Sequence, residues 1–299
     1  MPFLEWLSSV FFWRFELFHG WTPVGIIGFE SRFMNPLLLT LKKKLILSVL
    51  SLGLILVSAL VSAAQSADVA NRALLGFSPE GRYFAMEEYG VQDGSGFPYS
   101  TIYIIETKKN SWVKGSPFRA LIKDETASLQ QAREQAAGLA KDFLEKHDIK
   151  HPGQLLAHNP VTELGTQRDF VMVAPGAAPF LTKHALAFSV APVPLPTKRC
   201  QDYGPESQQG YALSLKRVGG RPGEPPQLLY KDKRIPTSRG CPKRYAISDV
   251  VRFVKTADAK EALYIIILQV FTYGFEGDDG RYLVSGHWMP SFLAPSSKQ

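Results

Sequence analysis

Between residues 70 and 290 the apolar positions come in short alternating or continuous runs, separated by clusters of Gly, Pro, Ser and Asp. That is a pattern of strands and turns. Strands are predicted over 74–77, 82–88, 101–106, 169–173, 186–191, 211–217, 245–254, 262–272 and 281–285. Turn signals stand at Ser78-Pro79-Glu80-Gly81 and Asp93-Gly94-Ser95-Gly96, and Pro and Gly interrupt the chain at 174–179, 191–196 and 219–226. The nearly unbroken apolar run 263–270 predicts a central strand covered on both faces. One stretch departs from this pattern. Over 128–147, Leu129, Ala132, Ala136, Leu139, Ala140 and Phe143 recur at the helical period. Ser128 with Gln131 suits a capping box, and His147 followed by His151-Pro152-Gly153 marks the end. No segment reads as a linker, so 68–289 is expected to be a single α+β domain. It should be mainly antiparallel β with one amphipathic helix, and the polar tail 290–299 should lie outside it.

A different pattern precedes it. Lys42-Lys43-Lys44 is followed by the apolar run 45–60 and then by Val61-Ser62-Ala63-Ala64. A cationic start, a hydrophobic run and small residues make a secretion signal, with cleavage expected after Ala63 or Ala64. The run is short for a membrane helix, which needs about 20 apolar residues. The alternative is an uncleaved N-terminal anchor. No Cys lies near the cleavage point, which argues against a lipoprotein. Met34 stands where an ordinary signal would begin, so residues 1–33 are expected to be an extension ahead of the true start. The alternative for 1–33 is a second, aromatic-rich segment lying on a membrane surface. Membrane contact is expected only through these N-terminal parts.

This sets the compartment as periplasmic or secreted, and it changes how the charge and cysteines are read. The chain has 299 residues and a net charge of +7. Residues 1–64 hold five of the 34 Lys and Arg and three of the 27 Asp and Glu, leaving the remainder an excess of five positive charges. Both cysteines, Cys200 and Cys241, lie in that remainder. In an oxidising compartment they most simply form one disulfide. Closing such a loop would stabilise the fold by about 4 kcal/mol in the chain-entropy model. They are far apart and form no Cys-x-x-Cys, which speaks against a metal or redox site.

Two resemblances follow from longer motifs. Gly76-Phe77-Ser78-Pro79-Glu80-Gly81-Arg82-Tyr83-Phe84-Ala85, followed by Ile102-Tyr103-Ile104-Ile105-Glu106-Thr107, resembles one blade of a TolB-type propeller, with Glu80 where that motif usually has Asp. The pattern occurs once, and even four blades need about sixteen strands against the roughly ten predicted, so a complete propeller is not expected. A broader resemblance spans about 68–287. It rests on Glu87-Glu88-Tyr89-Gly90-Val91-Gln92-Asp93-Gly94-Ser95-Gly96-Phe97-Pro98, Pro152-Gly153, Pro160-Val161-Thr162-Glu163, Ile235-Pro236-Thr237-Ser238-Arg239-Gly240-Cys241-Pro242 and Gly274-Phe275-Glu276-Gly277. These resemble the bacterial family of predicted secreted proteins grouped as domain of unknown function 2259. The resemblance implies an exported envelope protein and supplies no activity.

Candidate chemistry is thin. Glu87 and Glu88 are neighbours in a strand, so their side chains point to opposite faces and cannot share one bond to be cleaved. Either could still pair with Asp93 after the turn, and these three are the candidate acids of a hydrolase. The plainer reading is a solvated face and a turn. Glu276, Asp278 and Asp279 read as a polar turn. His147, His151 and His158 with Glu163 would hold zinc only if they converged, and spacing does not show convergence. His147, at the helix C-terminus, is expected to have its charged form favoured by the helix dipole. Ser285-Gly286-His287 puts a hydroxyl near an imidazole. Nucleophile-elbow, phosphate-loop and dinucleotide motifs are missing from the sequence, and no cofactor is implied.

The basic stretch 231–244 is the strongest candidate. Lys231, Lys233, Arg234, Arg239, Lys243 and Arg244 stand against Asp232 alone, flanked by Tyr230 and Tyr245. Its excess of five positive charges equals that of all residues beyond 64. Export turns the expected partner from nucleic acid toward an anionic envelope polymer, a lipid headgroup or an envelope protein. The plainer reading is a solvated loop held by the disulfide. The sequence therefore predicts a non-catalytic binding module, with a hydrolase of envelope polysaccharide or peptide as the alternative.

Overall fold

The computed structural model describes residues 68–160, 168–174, 185–204, 206, 208–218, 223–257, 259–274 and 277–290. The signal, the extension before it, the tail 291–299, Glu163 and Glu276 lie outside these. The chain divides between Ala64 and Gln65, and every described residue belongs to the second unit.

Three antiparallel sheets make up this unit. Sheet I is a meander of β1 (Asn71–Phe77), β2 (Tyr83–Val91) and β3 (Pro98–Glu106), with β4 (Ser111–Trp112) and β5 (Phe118–Leu121) both paired to β3. After α1 (Leu129–Lys146) come β6 (Gln154–His158), β7 (Phe170–Val173), β8 (Leu186–Pro194), β9 (Gln209–Arg217) and β10 (Gln227–Lys231). The chain ends in the long strands β11 (Pro242–Phe253), β12 (Glu261–Tyr273) and β13 (Asp278–Pro290). Sheet II has the order β13-β12-β11-β6 and sheet III the order β10-β9-β8-β7.

The layering explains the apolar run at 263–270. Along β12, Tyr264, Ile266, Leu268 and Val270 pack with Phe188, Leu213 and Leu215 of sheet III. The alternate residues Leu263, Ile265 and Ile267 pack with Phe77, Phe84, Met86 and Ile105 of sheet I. A strand's side chains alternate between faces, so a strand covered on both sides loses its polar alternation. From Ala262 to Val270 no residue is more than 3 % exposed. Sheet II is thus the middle layer. On β11 a bulge between Ile247 and Asp249 reverses the parity, so Tyr245, Ile247 and Val250 all face sheet III while Val251 and Phe253 face sheet I.

The fourth layer is α1, on the outer face of sheet I. Its capping box is as expected: Ser128 Oγ accepts from the Gln131 N–H at 3.2 Å, and Gln131 Oε1 accepts from the Ser128 N–H at 2.7 Å. Ala132, Ala136 and Ala140 are fully buried, the last two packed with Ala85, Ile102 and Ile104. Three alanines in register let the helix press close, which narrows its apolar stripe. Leu139, predicted on that stripe, is 54 % exposed.

Nine predicted strands and the helix are present. Sequence reasoning missed β4, β5, β6 and β10, which are short and partly exposed. Sheet I carries the predicted Ser78–Gly81 turn, where the Gly81 N–H donates to the Ser78 carbonyl at 2.9 Å. Among the described residues the sheets close into neither a barrel nor a propeller.

Candidate functional site

The three candidate acids are separated by the sheet that carries them. Glu87 faces α1, where its carboxylate accepts from Arg133 Nε at 2.9 Å and Nη2 at 2.8 Å and from Ser100 Oγ at 2.9 Å. The Arg133 guanidinium lies 4.0 Å from the Tyr89 ring centroid. Glu87 is therefore a clip between helix and sheet. Glu88 points the other way, toward sheet II. Its Oε2 accepts from the Tyr282 N–H at 2.8 Å and its Oε1 from the Tyr103 hydroxyl at 3.4 Å. Burial raises its pKa, against the opposing pull of the Tyr282 N–H. Asp93 is exposed at the β2–β3 turn, and no hydrogen bond joins it to either glutamate among the described residues.

The basic stretch is half committed to structure. Cys200 and Cys241 form the expected disulfide, with Cα atoms 5.5 Å apart. It ties the short helical turn Thr237–Arg239 to the turn Lys198–Tyr203, and Arg199 Nη2 adds a bond to the Gly240 carbonyl at 2.8 Å. Arg239 turns inward. Its guanidinium pairs with buried Asp232 and stands 5.2 and 5.9 Å from the rings of Tyr211 and Tyr245. Asp232 also accepts from the Tyr211 N–H at 2.9 Å and the Tyr230 hydroxyl at 2.8 Å. Lys243 and Arg244 both pair with Asp278, and Arg244 lies over Phe271. Lys231, Lys233 and Arg234 remain exposed. Counting charges along 231–244 thus overstates the cation available at the surface.

The histidines do not converge. His147 stacks on Tyr83 and Phe143, His151 bonds Asp148 and His158 bonds Asp249. Burial, with Lys146 and Arg82 nearby, holds His147 below the usual imidazole range. This direction is opposite to the one expected from the helix dipole. Among the described residues no group of three or more His, Cys, Asp or Glu could hold a metal ion. Ser285 Oγ does lie 2.7 Å from His287 Nε2. Burial pushes that imidazole down to about 4, a poor match to a general base at neutral pH, and no carboxylate orients it among the described residues.

What the fold does assemble is a cleft of about 660 Å³ along the outer edge of β13. Sheet I supplies one wall, with Thr101, Tyr103, Trp112 and Arg119, and sheet III with the 236–240 turn supplies the other, with Tyr211, Tyr230 and Arg239. Glu88, Tyr282, Val284 and Ser285 line its floor. Of the sequence candidates, it brings together Glu88, Ser285 and Arg239 and leaves out Glu87, Asp93, Lys233, Arg234, His147, His151, His158 and His287. Arg119 is exposed and makes no ion pair among the described residues, while Trp112 beside it is 46 % exposed. Neither was legible as a site residue, because each is an ordinary strand residue until β13 is brought opposite it.

No helix among the described residues is long and apolar enough to cross a membrane. No curated protein and no solved structure matches the chain. A family model described as predicted secreted protein (DUF2259) matches residues 85–286, which takes in β3 through most of β13 and both walls of the cleft. The chain belongs to this family of predicted secreted proteins, whose function is unknown.

Proposed function

We propose that the protein is a non-catalytic binding module that works in the cell envelope, exported by the signal at 34–64, and that its cleft holds an anionic envelope component. The observation that supports this is Arg119, an exposed cation with no ion pair among the described residues, which lies between Trp112 and Leu121 along the edge of β3, lines the cleft with Tyr103 and Tyr282, and acts electrostatically on Glu88 and Tyr103. An accessible cation among aromatic and apolar side chains suits an anionic ligand that also presents apolar surface. The exposed Lys231, Lys233 and Arg234 would raise the local concentration of such a ligand without gripping it. The hydrolytic alternative is less well supported, since a two-acid mechanism needs two carboxyl groups within about 10 Å across one substrate. Of its three candidate acids, Glu88 lines the cleft, Glu87 is bound to Arg133 on the opposite face, and Asp93 is at a turn.

Titration calorimetry with oligogalacturonate and with acidic peptides, at two salt concentrations, tests the reading. Binding should weaken in salt and fall about tenfold, or about 1.4 kcal/mol, in Arg119→Ser. Lys233→Ser with Arg234→Ser should slow association more than it lowers affinity. Binding that ignores both salt and Arg119→Ser would rule the cleft out as an anion site.

A further inference from the structure

Sheet II ends at β13, and the cleft along that edge is lined by residues of sheets I and III. β13 pairs with β12 from Asp278 to Pro290 without a register shift. Its main-chain groups therefore alternate between β12 and the open edge. The outward positions are the even-numbered ones, and their partners mark how far the edge is already used. Gly280 exchanges bonds of 3.0 Å with Asp68 and Ala70. The Tyr282 N–H goes to Glu88. Gly286 donates to Asn110 Oδ1 at 2.5 Å and accepts from Asn110 Nδ2 at 2.8 Å, so one side-chain amide takes the place of a neighbouring peptide group. Asn110 holds that position from a left-handed conformation, φ 49°, which Asn tolerates better than most residues. Between these stops lies Val284. Its outward N–H and C=O have no hydrogen-bond partner among the described residues, and it lines the cleft.

We infer that the cleft receives an extended acidic peptide as a fifth strand of sheet II, paired to β13 at Val284. This rests on the reading of the cleft as the binding site and names the class of its ligand. A strand added about 4.8 Å beyond β13 would lie between sheets I and III. Its side chains would alternate between the two walls, toward Tyr103, Trp112 and Arg119 on one side and Tyr211, Tyr230 and Pro236 on the other. Main-chain bonds to an edge strand supply register, and pockets for alternate side chains supply selectivity. Charge complementarity sets the acidic preference. Arg119 on the sheet I wall carries that preference, since Arg239 on the other wall is already paired with Asp232, leaving only its buried Nε without a partner, and Glu88 on the floor is held by the Tyr282 N–H. An anionic glycan could meet the cations but has no alternating amide to meet Val284.

The test starts from a pool of octapeptides fixed as Glu at one position and randomised elsewhere, enriched on the wild-type protein and measured by fluorescence anisotropy. Enriched peptides should lose at least tenfold in affinity for Val284→Pro, a substitution an edge strand accepts at an outward N–H. A second measurement needs no variant. N-methylation of one alternate set of peptide amides should abolish binding, and methylation of the other set should be tolerated. Arg119→Ser should erase the preference for Glu over Gln. Tolerance of both methylation sets, or enrichment no better on wild type than on Val284→Pro, would overturn the added strand. If oligogalacturonate binds and no peptide does, the strand falls and the anion-binding cleft stands; if neither binds, both fall.

Discussion

Removing the carboxylate of Asp232 probes whether the basic segment is a wall of the cleft or a free cationic loop. The Asp232 side chain is 1 % exposed and that of its partner Arg239 is 9 % exposed. Asp232→Ala would leave a guanidinium buried without a counter-charge, which costs about 3–5 kcal/mol. It would also orphan the Tyr211 N–H and the Tyr230 hydroxyl, which now end on Asp232. A loss of about 4 kcal/mol in a domain of this size lowers Tm by about 8–16 °C. Asp232→Ala combined with Arg239→Met removes both charges and should recover about half of the loss, because the isolated charge is the larger part of the penalty. Urea unfolding followed by tyrosine and tryptophan fluorescence measures all three proteins. A single variant within about 1 kcal/mol of the parent, or a double variant no better than the single, would show that Arg239 is solvated and the inward pair is wrong.

Two further outcomes follow from the same structure. Cys200→Ser with Cys241→Ser opens a loop spanning 41 residues and should lower stability by about 4 kcal/mol, read as a lower urea midpoint that reductant does not change further. An unchanged midpoint would mean that the turns are held by Arg199 and Arg239 alone. His287 is held near 4 in the fold against 6.5 in the free imidazole. Above pH 6.5 it is neutral in both states and contributes nothing to the pH dependence. Between 6.5 and about 4 the unfolded chain takes up a proton that the fold refuses, so stability falls as pH is lowered through that window. His287→Gln should flatten that fall, measured as urea midpoints at pH 7 and pH 4.5, and parallel slopes would refute the buried neutral imidazole.

How far the structure was legible depended on how local each signal was. Helix α1 was legible to its cap, because Ser128 and Gln131 satisfy each other across three residues. The exposure of Leu139 was not, since it depends on how closely three alanines allow sheet I to approach. The opposite facing of Glu87 and Glu88 followed from strand geometry alone. Their different roles did not, because Arg133 is 46 residues from one and Tyr282 is 194 residues from the other. Strands β6 and β10 escaped notice because, as five-residue edge strands with exposed residues, they carry little period-2 contrast. The bulge in β11, which reverses its faces, left no mark that a single sequence displays.

By itself the sequence determined the strand-rich class, the helix with its cap, the doubly covered central strand and, through the secretion signal expected at 34–64, the expectation that Cys200 and Cys241 would pair. These follow from composition, from periods of 2 and 3.6 residues and from neighbours within a turn, all of which are written along the chain. The tertiary structure alone decided that sheet II is the middle of three sheets, that Arg239 turns inward to Asp232, and that the open edge of β13 shares one cleft with Arg119 and Trp112. Each of these depends on residues far apart in sequence meeting across sheets, where burial and charge pairing, rather than local pattern, fix which groups remain free to bind.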